Sequence, residues 1–254
     1  MLRNCAMYFI EMDAVTIKKV VILRCKVPNR SWVQGSDTSG LWKREIACYK
    51  YDAAAGAVVF KTTHFSVYAI ASIAKTFDDI GKLTWAQAAI EALASREVVK
   101  GITDTSFDPS VDVKRADFLV LLVRALGLQA EGQTTFNDVA ESAYYYDAVS
   151  YAESLGITKG DGKGSFNPDA AITRQEMIVL TARALEAVGQ LSKADGALDG
   201  YEDAAAVADY AQASTAALVA AGIVKGIDGQ IQPEGIVTRA QVAVIVYRAL
   251  GLNR

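Results

Sequence analysis

The chain has 254 residues, 52% of them hydrophobic and 22% charged, with a formal net charge of −3. That apolar share excludes a disordered chain, the acidic balance without a dense basic run excludes a general nucleic-acid binder, and no apolar stretch reaches the ~18 residues of a membrane helix. The length suits one large or two ordinary domains.

Cysteine use divides the chain: Cys5, Cys25 and Cys48 lie in its first fifth and none follows. The start is not a secretory signal peptide, because Glu11 and Asp13 interrupt any apolar core after Met1–Ile10. Val15–Val27 is rich in β-branched residues, and Ala57–Phe60 and Phe65–Ile70 continue the pattern, with Asp52–Gly56 as a turn. Residues 1–75 are therefore expected to form a small, partial β segment, the remnant of an upstream domain.

From residue 76 the sequence repeats itself three times. The copies open on Phe77-Asp78-Asp79, Phe136-Asn137-Asp138 and Tyr201-Glu202-Asp203. A lysine-glycine pair follows in each, at 100–101, 159–160 and 225–226. An apolar-x-Pro step comes next: Phe107-Asp108-Pro109, Phe166-Asn167-Pro168 and Ile231-Gln232-Pro233. Each copy then has an arginine, Arg115, Arg174 or Arg239, in a short polar motif, and closes on Arg-Ala-Leu. From opening aromatic to motif arginine is 38 positions in every copy, and from that arginine to the closing leucine is 11. The repeats are expected at 76–128, 129–188 and 189–254.

Each repeat reads as helix, loop, helix. The first helix carries apolar residues at helical spacing, as in Trp85, Ala89, Ile90 and Leu93. In repeats two and three it ends at Gly156 and Gly222, suited to a left-handed cap. Repeat one has Glu97 there, which implies a differently built end. The proline step stops any helix, and the second helix starts at the arginine motif. Thr173 with Glu176 and Thr238 with Gln241 match the capping box. Repeat one has Lys114 at the threonine position, leaving Asp112 as the substitute cap. Phe118, Leu119, Leu122 and Leu126 form the buried stripe of this second helix.

Arg115, Arg174 and Arg239 fall in the first turn of their helices, where a cation opposes the helix dipole at a cost of a few tenths of a kcal/mol. The alternatives are a surface arginine paired with a neighbouring carboxylate or an anion site. Three identical unfavourable placements favour the anion site, where a helix N-terminus and a bidentate guanidinium both suit a carboxylate. Arg124, Arg183 and Arg248 sit in last turns, where a cation is favourable, and read as structural. Lys100, Lys159 and Lys225 either add charge to the same sites or are solvated turn lysines. Trp85, Tyr144 and Tyr210 correspond if repeat three has a one-residue insertion before its first helix and a one-residue deletion after its lysine-glycine pair. Such rings pack against a sugar face or, more commonly on a helix, into a core. Gly101, Gly160 and Gly226 read as turn residues. Signs of catalysis are missing: His64 is the single histidine, and there is no phosphate loop or calcium loop with its full ligand set. No enzyme activity, cofactor or metal is expected.

The ordered motifs of residues 76–252 (aromatic-x-Asp, the glycine steps, Phe-x-Pro and Ile-Thr-Arg-x-Glu) resemble the S-layer homology domain, which occurs as a triplet in bacterial surface proteins. The resemblance implies a mainly α, pseudo-threefold module of three helix-loop-helix repeats with grooves between neighbours. It further implies non-covalent anchoring to an anionic, commonly pyruvylated, secondary cell-wall polysaccharide. In that family the arginine of Thr-Arg-x-Glu contacts the ligand, which designates Arg174 and Arg239. Repeat one, with Lys114-Arg115-Ala116-Asp117, departs from the pattern. The run Lys61–Ala69 is similar to the closing strand of β-domains that precede such triplets. The expected setting is extracellular, at the cell wall or surface layer, as the C-terminal piece of a longer surface protein. No membrane span and no nucleic-acid partner are expected. A protein–protein assembly module, or a tether for a wall-active hydrolase, is the alternative.

Overall fold

The computed structural model describes residues 75–191 and 198–251 in full and, as backbone, six strands in the first 72 residues. These are β1 (Cys5–Ile10), β2 (Thr16–Arg24), β3 (Lys43–Glu45), β4 (Tyr49–Asp52), β5 (Ala57–His64) and β6 (Val67–Ser72). They form two three-stranded antiparallel sheets, in the orders β3-β1-β6 and β2-β5-β4. The expected turn is framed by the pairing Asp52↔Ala57. The run Lys61–Ala69 is divided between β5 and β6, which belong to different sheets, so it is not one closing strand.

The remainder is helical: α1 (Gln87–Ala94), α2 (Arg115–Leu126), α3 (Tyr146–Ser154), α4 (Arg174–Ala187), α5 (Asp209–Ala220) and α6 (Arg239–Ala249). The second helix of every repeat begins at its motif arginine. In α4 the Glu176 N–H donates to the Thr173 hydroxyl, and the Thr173 N–H donates to the Glu176 carboxylate at 2.9 Å. In α6 the Thr238 N–H donates to the Gln241 amide oxygen at 3.1 Å. No side chain caps α2, and the expected substitution by Asp112 does not occur. Lys114 instead pairs with Asp169 of repeat two at 2.7 Å, an exposed contact that contributes little.

The first helices all end alike. Gly156 and Gly222 take left-handed φ values of 70° and 69°, and Glu97 takes 52° in the same place. The following N–H groups, of Val98, Ile157 and Ile223, bond back to Leu93, Ala152 and Leu218. The end of α1 is therefore not built differently; it is the same turn with a strained residue in it. Glu97→Gly is expected to stabilise the chain by about 1 kcal/mol, by removing the Cβ penalty of that conformation. An unchanged or lower midpoint in urea denaturation would contradict this.

Within each repeat the opening motif holds the loop. The Asp79 carboxylate accepts the N–H groups of Phe107 (2.9 Å) and Asp108 (2.7 Å). Asp138 does the same for Phe166 (2.8 Å) and Asn167 (2.7 Å), and Asp203 for Ile231 and Gln232 (both 2.7 Å). Burial works to raise the Asp79 carboxyl, but these bonds and one from Ser106 outweigh it and hold it below the usual range. The opening aromatic lies against the glycine of the lysine-glycine pair. A Cβ on Gly101, Gly160 or Gly226 would sit 2.4–2.5 Å from a ring carbon of Phe77, Phe136 or Tyr201. Ring packing thus requires all three glycines, and of them Gly160 alone also has left-handed backbone, with φ of 59°.

The repeats close into a ring. At its centre the Val113 N–H donates to the carbonyl of Val237, Val237 to Ile172, and Ile172 to Val113, at 3.1, 3.2 and 2.9 Å. The second helix of each repeat sets its first turn on the proline loop of the next. Arg115 and Ala116 N–H groups reach Ala170 and Pro168, Arg174 and Gln175 reach Gly235 and Pro233, and Arg239 and Ala240 reach Val111 and Pro109. The first helices complete the cycle, with α3 packed on α2, α5 on α4 and α1 on α6. One continuous core, including Phe107, Phe118, Phe166, Ile172, Met177 and Ile231, runs through all three repeats.

Candidate functional site

The three motif arginines reach across to the neighbouring repeat. Arg115 of repeat one pairs with Glu176 of repeat two at 3.0 Å and lies over the Phe166 ring, 5.1 Å from its centroid. Arg239 of repeat three lies over the Phe107 ring of repeat one at 4.5 Å. Its Nε donates to the Phe107 carbonyl (2.9 Å) and its terminal nitrogen to the Lys100 carbonyl (2.8 Å). Arg174 of repeat two donates to the Lys225 carbonyl of repeat three at 2.8 Å.

Compensation of these charges is unequal. Among the described residues Arg115 alone of the three has a carboxylate within ion-pair range. Arg174 is only 5% exposed, and its buried Nε, like that of Arg115, has no hydrogen-bond partner. The ring found under the other two guanidinium groups is replaced there by Ile231. Burial, and then the like charge of Arg248, push the Arg174 guanidinium below its ordinary value, with Asp203 and Tyr201 acting in the opposite direction. Burial also lowers Arg239, where three carboxylates, Asp108, Asp117 and Asp79, act in the opposite direction.

The aromatic residues are not in the core. Trp85, Tyr144 and Tyr210 are 56%, 69% and 55% exposed: Trp85 and Tyr144 precede the starts of α1 and α3 at Gln87 and Tyr146, and Tyr210 lies in the first turn of α5. Trp85 thus leaves the apolar stripe read for α1, whereas Ala89, Ile90 and Leu93 are buried. Tyr144 donates its hydroxyl to Asp117 of repeat one. Partial burial, and then this acceptor, push the phenol up to about 12. Burial, then the nearby Glu176 and Glu234 carboxylates, raise Tyr210 as well, while Arg115 acts against them.

Each groove therefore draws on all three repeats. Arg115, Glu176 and Tyr210 form one, and Arg239, Asp117 and Tyr144 another. The same register gives Arg174, Gln241 and Trp85, with α1 packed on α6. Lys100, Lys159 and Lys225 are exposed on the loops, and the backbone carbonyls of Lys100 and Lys225 hold the arginines. The anion site imagined with free helix N–H groups is corrected: the first-turn N–H groups of α2, α4 and α6 are taken by the neighbouring proline loop. Anion attraction thus rests on side chains. The structural reading of Arg183 and Arg248 agrees with their bonds to the carbonyls of Ile157 (3.3 Å) and Ile223 (3.2 Å), each closing the left-handed turn of its own repeat. Dependence of every groove on three repeats has no signal in the sequence, since it arises from ring closure.

A closed ring of three helical repeats with an arginine in each groove defines a tandem-repeat surface module. The chain belongs to the S-layer homology domain family, whose model matches residues 76–119, 135–178 and 200–243. Such modules anchor surface proteins, hydrolases among them, to the cell wall. The chain is 38% identical to an amylopullulanase of Thermoanaerobacterium thermosulfurigenes over 84% of its own length and 11% of the relative's. It is 36% identical to the exoglucanase XynX of Acetivibrio thermocellus, over 69% of this chain and 16% of that one. Similarity to the surface-layer 125 kDa protein of Lysinibacillus sphaericus is 30%, over 73% and 16%. The chain thus spans between a tenth and a sixth of these relatives. Among the described residues no helix is long and apolar enough to cross a membrane.

Proposed function

We propose that this chain attaches a larger surface protein non-covalently to an anionic secondary cell-wall polysaccharide, with a pyruvyl ketal or a like carboxylate as the recognised group. The observation that carries this is Arg174, a buried cation whose Nε has no hydrogen-bond partner and which, among the described residues, has no carboxylate within ion-pair range and no ring under its guanidinium. A buried charge is stable only when paired, and a ligand carboxylate supplies the missing partner through a guanidinium fork. The exposed Trp85, Tyr144 and Tyr210 offer apolar ring faces against which sugar rings stack. The module itself performs no chemistry in this reading; hydrolytic activity, where it occurs, belongs to other domains of the longer protein. Repeated glycan units let more than one groove engage the same chain, and this raises the overall affinity.

The full chain is expected to sediment with native wall sacculi and to remain in solution with sacculi stripped of secondary polymer. Sedimentation that persists undiminished after stripping would rule out the glycan.

A further inference from the structure

The three grooves differ in charge at the third residue of the second helix, which is Asp117, Glu176 or Gln241. In the Arg115 groove the Glu176 carboxylate divides its oxygens: one accepts the Thr173 cap N–H and the other pairs with Arg115 at 3.0 Å. In the Arg174 groove the corresponding residue is Gln241, whose amide oxygen is held by the Thr238 N–H. Its free end is then an NH2 group, a donor where Glu176 presents an acceptor. Arg174 also has Ile231 where the other two arginines have Phe107 or Phe166. The Arg239 groove lies between these extremes, for Asp117 is occupied by the Tyr144 hydroxyl yet remains in the field of Arg239.

We infer that the grooves are not equivalent: the Arg174–Gln241 groove is the principal carboxylate receptor, and the Arg115 groove is switched off by Glu176, a carboxylate of the chain in the place a ligand would take. The residue contributed by the next repeat therefore determines which grooves bind. This rests on the carboxylated-glycan reading above. Glutamate and glutamine serve the capping box equally well, so exchanging them changes charge with little effect on the helix start.

The test uses the full chain, the 4,6-pyruvyl ketal of a methyl hexoside as probe, titration calorimetry for affinity and stoichiometry, and urea denaturation without ligand. The expected result is one dominant site in the unaltered chain. Gln241→Glu weakens that site at least tenfold, roughly the loss expected when one charge-assisted contact is neutralised, and raises the urea midpoint by giving Arg174 a counter-charge. Glu176→Gln adds a second site and lowers the midpoint. Ketal affinity and stoichiometry untouched by both substitutions would overturn the inference. Failure of the unaltered chain to bind the ketal, with the midpoints still moving in opposite directions, would overturn the glycan reading while supporting the inequality of the grooves. No binding and no movement of either midpoint would overturn both.

Discussion

Gly160→Ala is expected to destabilise the chain by about 3 kcal/mol, whereas Gly156→Ala, four residues earlier, is expected to cost only about 1. Both glycines have left-handed backbone, with φ of 59° and 70°, and that conformation alone penalises a Cβ by roughly 1–2 kcal/mol. They differ in surroundings. A Cβ on Gly156 meets nothing within 4 Å, but on Gly160 it lies 2.4 Å from the Phe136 ring and 2.5 Å from the Ser165 carbonyl oxygen. Phe136 is buried against Phe166, with ring centroids 5.8 Å apart, and cannot yield without disturbing the core, which adds about 1–3 kcal/mol of overpacking. Urea denaturation of the two variants reads the difference directly. Equal losses would show that backbone strain alone explains the lysine-glycine motif.

The double substitution Arg174→Lys with Arg239→Lys is expected to weaken wall attachment about a hundredfold, tenfold for each groove, while leaving the helical circular dichroism in place. Lysine keeps the positive charge but has no planar fork to grip a carboxylate. Alanine is the poorer test here, because it would also orphan the carbonyls of Lys100, Phe107 and Lys225 that these arginines satisfy. Sedimentation with native sacculi gives the measurement. Unchanged sedimentation would remove both arginines from the binding surface, and loss of helicity would make them structural clips between repeats.

The parts legible in the sequence are those governed by local chemistry. Fixed spacing in three copies gave the repeat register, and Thr173 with Glu176 gave the start of α4, since a capping box is closed by residues three apart. The turn at Glu97 was hidden because glutamate lacks the glycine signature, although the same backbone bonds form there. The aspartates Asp79, Asp138 and Asp203 were visible as a motif, but their role requires loop N–H groups 28 and 29 residues away. Ring closure was equally out of reach: nothing local says that Val113 bonds to Val237 or that α1 packs on α6. Arginine placement pointed to an anion site, yet the helix N–H groups invoked for it are consumed by the neighbouring loops. The inequality of the grooves depends on which repeat follows which around the ring, and so emerges only from the assembled structure.

The most direct test is nuclear magnetic resonance of the arginine Nε–Hε groups of the full chain during titration with purified secondary polymer. Attachment through the groove arginines predicts that the Arg174 signal moves first, followed by Arg239, and that neither moves with polymer from which the pyruvyl groups have been removed. Polymer binding that leaves both signals in place, or that is indifferent to removal of the pyruvyl groups, would contradict it.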